Sequence, residues 1–203
     1  KVGLTGFKWI GKMINDYKNQ KFIFGGEESF GYMVGDFVRD KDAITSALLA
    51  CELGSECKTN NSSIIDYLIN CYIKYGFYKE RLISIKKEGA KGLEEISDIM
   101  NSLRTSGIKM IDGSKLKFIK DFESSSKQDT VNGNSSKLDF PKSNVLIFET
   151  EDGTTVAARP SGTEPKIKFY ISVNSKLESK SDYMKMDTLL ENKIERVIKE
   201  FEF

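Results

Sequence analysis

The sequence contains no histidine, and this absence excludes several classes of catalyst. Without an imidazole group there is no Ser-His-Asp triad, no Cys-His dyad and no histidine-ligated metal site. Cysteine is scarce too, because the 203 residues include only three, at positions 51, 57 and 71. An odd, scattered set fits neither a disulfide framework nor a four-cysteine zinc site. We therefore expect reduced thiols in the core or on helix faces, and a cytoplasmic location.

Excess charge and long apolar runs are missing as well. The 31 Lys and Arg residues against 30 Asp and Glu residues give no general attraction to nucleic acid or to an acidic membrane surface. No apolar run approaches the roughly 18 residues of a membrane span, and no signal segment leads the chain. We expect neither nucleic acid nor a membrane as a partner. Because the chain opens at Lys1, we also expect a processed product or an excised fragment.

The residues that are present predict two domains with different patterns. A hydrophobic content of 39% is enough for a core. In the first half, helical spacing predicts helices over residues 5–17, from residue 43 onward and over residues 64–75, and an apolar run predicts a buried strand over residues 21–24. Ser63 and Asp66 form a capping box for the last of these helices, and Gly76 ends it.

The second half predicts a small antiparallel sheet with helices on one face. The predicted strands cover residues 82–85, 115–122, 145–148, 154–158 and 166–173, and the predicted helices cover residues 93–103 and 190–201. The Asp-Gly pair at 152–153 indicates a hairpin. The Ser-, Asn-, Asp- and Lys-rich tract 123–143 indicates a mobile surface loop. The fold class is therefore α/β followed by α+β, with domains at residues 1–76 and 77–203.

A short connection between two predicted strands is the strongest candidate for a ligand site. Residues 159–165 read RPSGTEP, and the two prolines stiffen the turn. Gly162 allows the backbone to bend and to approach a ligand closely. Arg159 offers a planar fork of donors, and the hydroxyls of Ser161 and Thr163 lie near backbone N–H groups. Such a cluster suits a dianionic phosphate, although an ordinary polar turn with a solvated arginine has the same composition.

Two further segments contain residues suited to a phosphorylated sugar. Residues 25–32 read GGEESFGY and follow the predicted buried strand, where α/β proteins gather ligands. Glu27 or Glu28 can accept hydrogen bonds from neighbouring sugar hydroxyls, whereas adjacent carboxylates rarely face each other as a glycosidase needs. A solvated acidic turn is the alternative. Lys8, at the start of the first helix, can meet an anionic substrate or can simply be solvated.

These segments, in this order, resemble the α-D-phosphohexomutases, the family of phosphoglucomutases and phosphomannomutases. Residues 159–165 resemble the phosphate-binding loop of its last domain, residues 26–31 the sugar-binding loop of its third domain, and residues 5–8 its lysine segment. The resemblance implies interconversion of hexose 1-phosphate and hexose 6-phosphate through a phosphoserine and a bisphosphate. It assigns sugar contacts to Glu27, Ser29 and Lys8, and phosphate contacts to four residues of the last loop: Arg159, Ser161, Gly162 and Thr163.

The sequence also departs from the family pattern. The nucleophile loop, Ser-His-Asn-Pro, and the Asp-x-Asp-x-Asp-Arg magnesium loop are both absent, so we expect no catalytic residue and no metal ligand in this chain. The resemblance implies that Mg²⁺ and hexose 1,6-bisphosphate act in the full-length enzyme, with N-terminal domains of the same polypeptide as partners. It favours the phosphoglucomutase or phosphopentomutase branch. A stand-alone phosphosugar-binding module without catalysis is the alternative interpretation. A third is an interaction domain whose loops no longer bind a ligand.

Overall fold

The computed structural model of the protein describes residues 6–27, 30–162 and 164–201, apart from the side chain of Ala90. The chain divides into two compact units, Lys1–Leu68 and Ile69–Phe203, which we call the N-terminal and C-terminal units. The division falls within a helix of residues 64–75. The assignment of residues 1–76 and 77–203 to two mutase domains stays a prediction. The mixed composition of helices and antiparallel strands confirms the expected fold class.

In chain order, the N-terminal unit has one helix before a short β-hairpin and helices after it. Its elements are α1 (Phe7–Asp16), β1 (Phe24–Gly26), β2 (Tyr32–Val34), α2 (Ala43–Thr59) and the first residues of α3 (Ile64–Tyr75). β1 and β2 pair antiparallel, with Gly26 opposite Tyr32. Asp42 caps α2, because its Oδ1 accepts hydrogen bonds from the N–H groups of Ile44 at 2.9 Å and Thr45 at 3.4 Å.

The predicted capping box of α3 is confirmed. Asp66 Oδ2 accepts hydrogen bonds from the N–H group of Ser63 at 3.0 Å and from its hydroxyl at 2.8 Å, while the N–H group of Asp66 donates to Ser63 Oγ at 3.0 Å. Gly76 follows the helix with φ +100°, a conformation that glycine adopts without strain. The sequence therefore specifies both ends of this helix locally.

The prediction of a buried strand over residues 21–24 was wrong. The strand begins only at Phe24, whose side chain is 50% exposed, and Ile23 is 74% exposed. Gly25 lies against α1, since a Cβ atom there would come within 3.2 Å of the Ile10 side chain. Among the described residues, β2 is the one strand that pairs with β1. A two-stranded hairpin that packs one face against a helix leaves its other face exposed, even when the residues on that face are hydrophobic.

The C-terminal unit is built on one antiparallel sheet. Its elements are β3 (Phe77–Lys86), α4 (Gly89–Thr105), β4 (Met110–Ile111), β5 (Ser114–Asp121), β6 (Ser126–Asp129), β7 (Ser135–Lys137), β8 (Leu146–Thr150), β9 (Thr155–Pro160), β10 (Lys166–Ser175), a 3₁₀ turn (Lys180–Asp182) and α5 (Tyr183–Glu200). The strand order is β3-β10-β9-β8-β5-β6-β7, and β4 pairs with β5. β3 and β7 are therefore the edges.

The core lies between one face of this sheet and the two helices. In β10, Ile167, Phe169, Ile171 and Val173 alternate toward the core and are at most 1% exposed. They belong to one buried cluster with Ile96 and Met100 of α4 and with Leu190, Ile194 and Val197 of α5. The opposite face of β10 carries polar residues and a tyrosine. The predicted alternation of this strand and the predicted closing helix are both confirmed.

The tract 123–143 was predicted to be a mobile loop, and that prediction was wrong. It forms β6 and β7, which extend the sheet, with Ser126 opposite Asp121 and opposite Lys137. Leu138 is 9% exposed, and the rings of Phe122 and Phe140 lie 5.7 Å apart. The ladder is made by backbone groups, so a polar composition does not prevent it once a neighbouring strand supplies the template.

The turn between β8 and β9 is held by Asp152. Its Oδ1 accepts hydrogen bonds from Thr150 Oγ1 at 2.6 Å and from the N–H group of Thr154 at 3.0 Å, and its Oδ2 accepts one from Lys193 Nζ at 2.5 Å. Burial alone would raise the pKa of Asp152, but the hydrogen bonds from Lys193 and Thr150 hold it well below its ordinary value. Gly153, at φ +85°, completes the predicted hairpin turn.

Candidate functional site

The segment between β9 and β10 is a turn fixed by its own backbone. The N–H group of Ser161 donates to the carbonyl of Lys166 at 2.7 Å, and the N–H group of Lys166 donates to the carbonyl of Glu164 at 2.7 Å. The N–H group of Glu164 donates to Ser161 Oγ at 3.3 Å. The carbonyl of Pro165 accepts a hydrogen bond from the N–H group of Lys87 at 2.8 Å. These contacts fix the start of the turn to its end, and its end to the residue that follows β3.

Gly162 lies at the exposed part of this turn. It does not have a left-handed φ, so the backbone conformation does not by itself require glycine there. Apart from its two chain neighbours, no described residue would have an atom within 4 Å of a Cβ atom at this position. Because Gly162 has no side chain and the space around it is open, a ligand can reach the backbone at this position. Thr163, which the resemblance assigns to phosphate binding, lies outside the described residues.

Arg159 projects from the face of the sheet opposite to α4 and α5. Side chains alternate between the two faces of β9, and Ala158, the residue before Arg159, is buried in the core. Arg159 is half-buried and lies directly opposite Lys168 of β10, which in turn lies opposite Ser84 of β3. Cross-strand partners share a face at about 4.5–5.5 Å between Cβ atoms. The structure therefore adds Lys168 to the predicted phosphate residues.

The lysines near this turn differ from other cations of the sheet in their surroundings. On the opposite face of β3, Lys79 pairs with Asp187 at 2.7 Å and Arg81 pairs with Glu191 and Glu195. By contrast, no ion pair to a described carboxylate is formed by three lysines on the Arg159 face: Lys86, Lys166 and Lys168. Lys86 and Lys166 even face each other as a cross-strand pair. Like charges in that position are destabilising, so this corner of the sheet favours an anion.

The second candidate segment lies in the N-terminal unit, in the hairpin of β1 and β2. Glu27 follows β1, and its N–H group donates to the carbonyl of Gly31 at 2.9 Å, which closes the connection. Glu27 Oε1 accepts a hydrogen bond from the N–H group of Gly6 at 2.5 Å. Gly6 is the N-cap residue of α1, the helix that carries Lys8. Ser29, the other predicted sugar ligand of this loop, lies outside the described residues.

Lys8 is exposed, in the first turn of α1. Its Nζ lies 5.4 Å from the centroid of the Trp9 ring, a cation–π geometry. The contact between Glu27 and Gly6 brings the segment of Lys8 next to the connection of Glu27, so two of the three predicted sugar residues belong to one local structure. No local sequence pattern predicts this contact, because Gly6 and Glu27 are 21 positions apart.

Within the described ranges, no three His, Cys, Asp or Glu side chains are grouped so that they could hold a metal ion. The residues of these ranges therefore do not fit a magnesium site. The helices that the structure describes include none long and apolar enough to cross a membrane. The three cysteines are free, with Cys57 buried and Cys51 exposed.

Comparisons with known proteins give a consistent picture. Residues 3–72 match the family model of phosphoglucomutase/phosphomannomutase, alpha/beta/alpha domain III. The chain is 39% identical over 172 residues to a phosphoglucomutase of Staphylococcus epidermidis, and 39% identical over 171 residues to one of Staphylococcus aureus strain MRSA252. Each alignment covers 84% of this chain and 31% of the relative. The chain therefore spans about a third of the length of these relatives.

The fold has a similar counterpart among solved structures. The open form of the exocytosis-sensitive phosphoprotein pp63/parafusin, a phosphoglucomutase from Paramecium, superposes with a TM-score of 0.57 at 17% sequence identity. The match covers 97% of this chain and 33% of that protein, and at this identity it shows the fold alone. The family-model match and the sequence relatives show that the chain belongs to the α-D-phosphohexomutases, the phosphoglucomutase and phosphomannomutase family, and corresponds to their C-terminal portion.

Proposed function

We propose that the chain is the C-terminal part of a phosphoglucomutase that interconverts hexose 1-phosphate and hexose 6-phosphate, and that it supplies sugar and phosphate binding to that enzyme. The observation that carries the proposal is the cationic turn of the C-terminal unit. Arg159 and Lys168 are cross-strand neighbours on one face, beside a turn whose backbone is fixed and whose tip is open at Gly162. A fixed, open turn next to two cations suits a dianionic phosphate.

The hairpin of β1 and β2 is proposed to bind the sugar. Glu27 is half-buried, and one of its carboxylate oxygens is engaged by Gly6. The second oxygen can accept a hydrogen bond from a sugar hydroxyl, and a charged acceptor binds a hydroxyl more strongly than a neutral one. Ser29 belongs to the same proposed contact, and Lys8 would meet the negative charge of the substrate.

The chemical step belongs to residues outside this sequence. In the proposed reaction a phosphoserine transfers its phosphoryl group to the free sugar hydroxyl, so that one O–P bond breaks and another forms. The resulting hexose 1,6-bisphosphate reorients in the cleft and returns its other phosphoryl group to the serine. Residues 159–165 would hold the phosphate that is not reacting, which is positioning and charge stabilisation. N-terminal domains of the same polypeptide would supply the serine and would hold Mg²⁺. The cytoplasm is the proposed location, in keeping with free thiols.

Titration calorimetry tests the binding role. The purified chain should bind glucose 1-phosphate and glucose 6-phosphate weakly, glucose more weakly still, and should interconvert none of them. Arg159→Ala should weaken phosphosugar binding by roughly 10-fold or more, since a hydrogen bond to a charged group contributes about 1.5–3 kcal/mol. Arg159→Lys keeps the charge but loses the planar fork, so its phosphosugar affinity should lie between those of the wild type and Arg159→Ala. Equal binding by all three proteins would overturn the assignment of Arg159.

The upstream reading frame separates the enzyme from a stand-alone binding module. The proposal expects a continuous frame that encodes a Ser-His-Asn-Pro loop and an Asp-rich loop before Lys1. A start codon just before Lys1, with phosphosugar binding intact, would establish the stand-alone module instead. Absence of both binding and of any effect of Arg159→Ala would favour an interaction domain whose loops are relics.

A further inference from the structure

Among the residues that the structure describes, none in the segment of α1 itself caps the start of this helix. Gly6, the N-cap residue, has φ +117° and no side chain, and the first turn of the helix contains no acidic residue. The first N–H groups of a helix have no partner inside it, and the positive end of the helix dipole favours a carboxylate. In a capping box, a glutamate three residues into the helix accepts the N–H group of the N-cap residue. In α1 that partner comes from another segment.

Glu27 supplies the missing acceptor. Its Oε1 lies 2.5 Å from the N–H nitrogen of Gly6. The connection that begins at Glu27 ends at Gly31, and the hydrogen bond between their backbone groups, 2.9 Å long, joins the two ends. Glu27 is therefore fixed by the hairpin on one side and engaged with the helix on the other.

Gly31, the other end of the connection, touches the next residue of α1. Phe7 is buried, at 6% exposure, and a Cβ atom on Gly31 would lie 2.8 Å from Phe7 Cε2. No real Cβ atom makes a contact that short, so the ring fills the space that the missing side chain leaves. The two ends of the connection thus contact two successive residues of α1, Glu27 at Gly6 and Gly31 at Phe7.

Lys8 is the next residue along. We propose that Glu27 is, besides its role toward the sugar, a positioning residue for Lys8: its carboxylate fixes the start of α1, and thereby the place from which the Lys8 ammonium reaches an anionic group. The inference rests on the proposed function. It differs from a purely sugar-binding role because it applies equally to a ligand without hydroxyls.

Hydrogen exchange of the Gly6 amide tests the contact without any ligand. In the whole chain, Glu27→Ala should speed exchange at Gly6 by roughly 10-fold or more, the factor that corresponds to the loss of a hydrogen bond to a charged group. Glu27→Gln keeps an oxygen acceptor at the same position and should restore most of the protection. Unchanged Gly6 exchange in Glu27→Ala, while the unsubstituted chain binds phosphosugar, would overturn the positioning role and leave the proposed function standing. The amide spectrum of the C-terminal unit serves as the folding control.

Inorganic phosphate then tests the consequence, followed at the amides of residues 6–9 by NMR. Removing a negative charge near Lys8 would by itself strengthen phosphate binding there, so loss of positioning has the opposite sign. Lys8→Ala should weaken phosphate binding about 3-fold or more in the Glu27→Gln background and leave it unchanged in the Glu27→Ala background. Equal Lys8→Ala effects in both backgrounds would overturn the proposal. If Glu27→Ala speeds Gly6 exchange as expected, but no amide of the chain responds to a phosphosugar, the proposed function is overturned instead.

Discussion

Lys168→Ala is the substitution for which the structure makes the most specific prediction. Lys168 lies between Ser84 and Arg159 on the open face of the sheet, half-buried, beside the fixed turn of residues 161–165. At 4 Å, two unit charges interact with about 1 kcal/mol in water and about 4 kcal/mol near a protein surface. For a half-buried ammonium we take roughly 1–2 kcal/mol, which corresponds to about a 5- to 30-fold loss of affinity for a phosphosugar.

Lys176→Ala is the matched control. Lys176 directly follows β10, eight residues from Lys168, which places it roughly 26 Å away along the strand direction. Its substitution removes the same charge from the same chain, and its partner Glu178 is itself exposed. Any loss of affinity that arises only from the net charge of the protein should therefore appear in both variants.

Calorimetry with glucose 6-phosphate, at low and at physiological salt, measures the difference. Lys168→Ala should raise the dissociation constant and reduce its salt dependence, because one cation fewer interacts with the phosphate. Lys176→Ala should change neither appreciably. If the two variants bind equally well, the row Ser84–Lys168–Arg159 is not part of the phosphate site, and the reasoning from strand register to charge is refuted.

Three further predictions concern the folded chain. Asp152→Asn should lower the melting temperature at pH 7, and the gap to the wild type should close as pH falls below about 4. The sign follows from the depressed pKa of Asp152, whose stabilising effect is present above its unfolded value and lost as pH falls through its folded value. Ile194→Ala, at a fully buried position, should cost about 2–5 kcal/mol in urea unfolding. Gly31→Ala should cost about 1–3 kcal/mol by crowding Phe7, whereas Gly11→Ala, with open space around it, should not destabilise.

Much of the fold could be predicted because its signals are local. Ser63 and Asp66 specify the start of α3 within four residues, and Asp152 with Gly153 specifies a hairpin within two. What surrounds an element is not a local property. The run at residues 21–24 is apolar, yet hydrophobicity does not say whether a layer covers it, and Ile23 is exposed. The tract 123–143 is polar, yet its backbone completes a ladder that the neighbouring strand offers.

The same distinction applies to the candidate site. Arg159 and its turn were recognisable, because the segment contains two prolines, a glycine and its donors in seven residues. Lys168 was visible only as one polar position in an alternating strand. Its importance depends on the register of β9 against β10, which places it opposite Arg159. A hairpin register counted outward from the midpoint between positions 163 and 164 would have found it. The contact of Glu27 with Gly6 depends on packing and has no such sequence signal.

The central claim is that residues 159–165 form a phosphate site, and amide chemical shifts test it most directly. Isotope-labelled chain is titrated with glucose 6-phosphate and, separately, with glucose. The account predicts saturable shifts at Ser161, Gly162 and Lys168 with the phosphorylated sugar and none there with glucose. Equal responses to both sugars, or a glucose 6-phosphate response confined to residues outside the turn and its two strands, would contradict it.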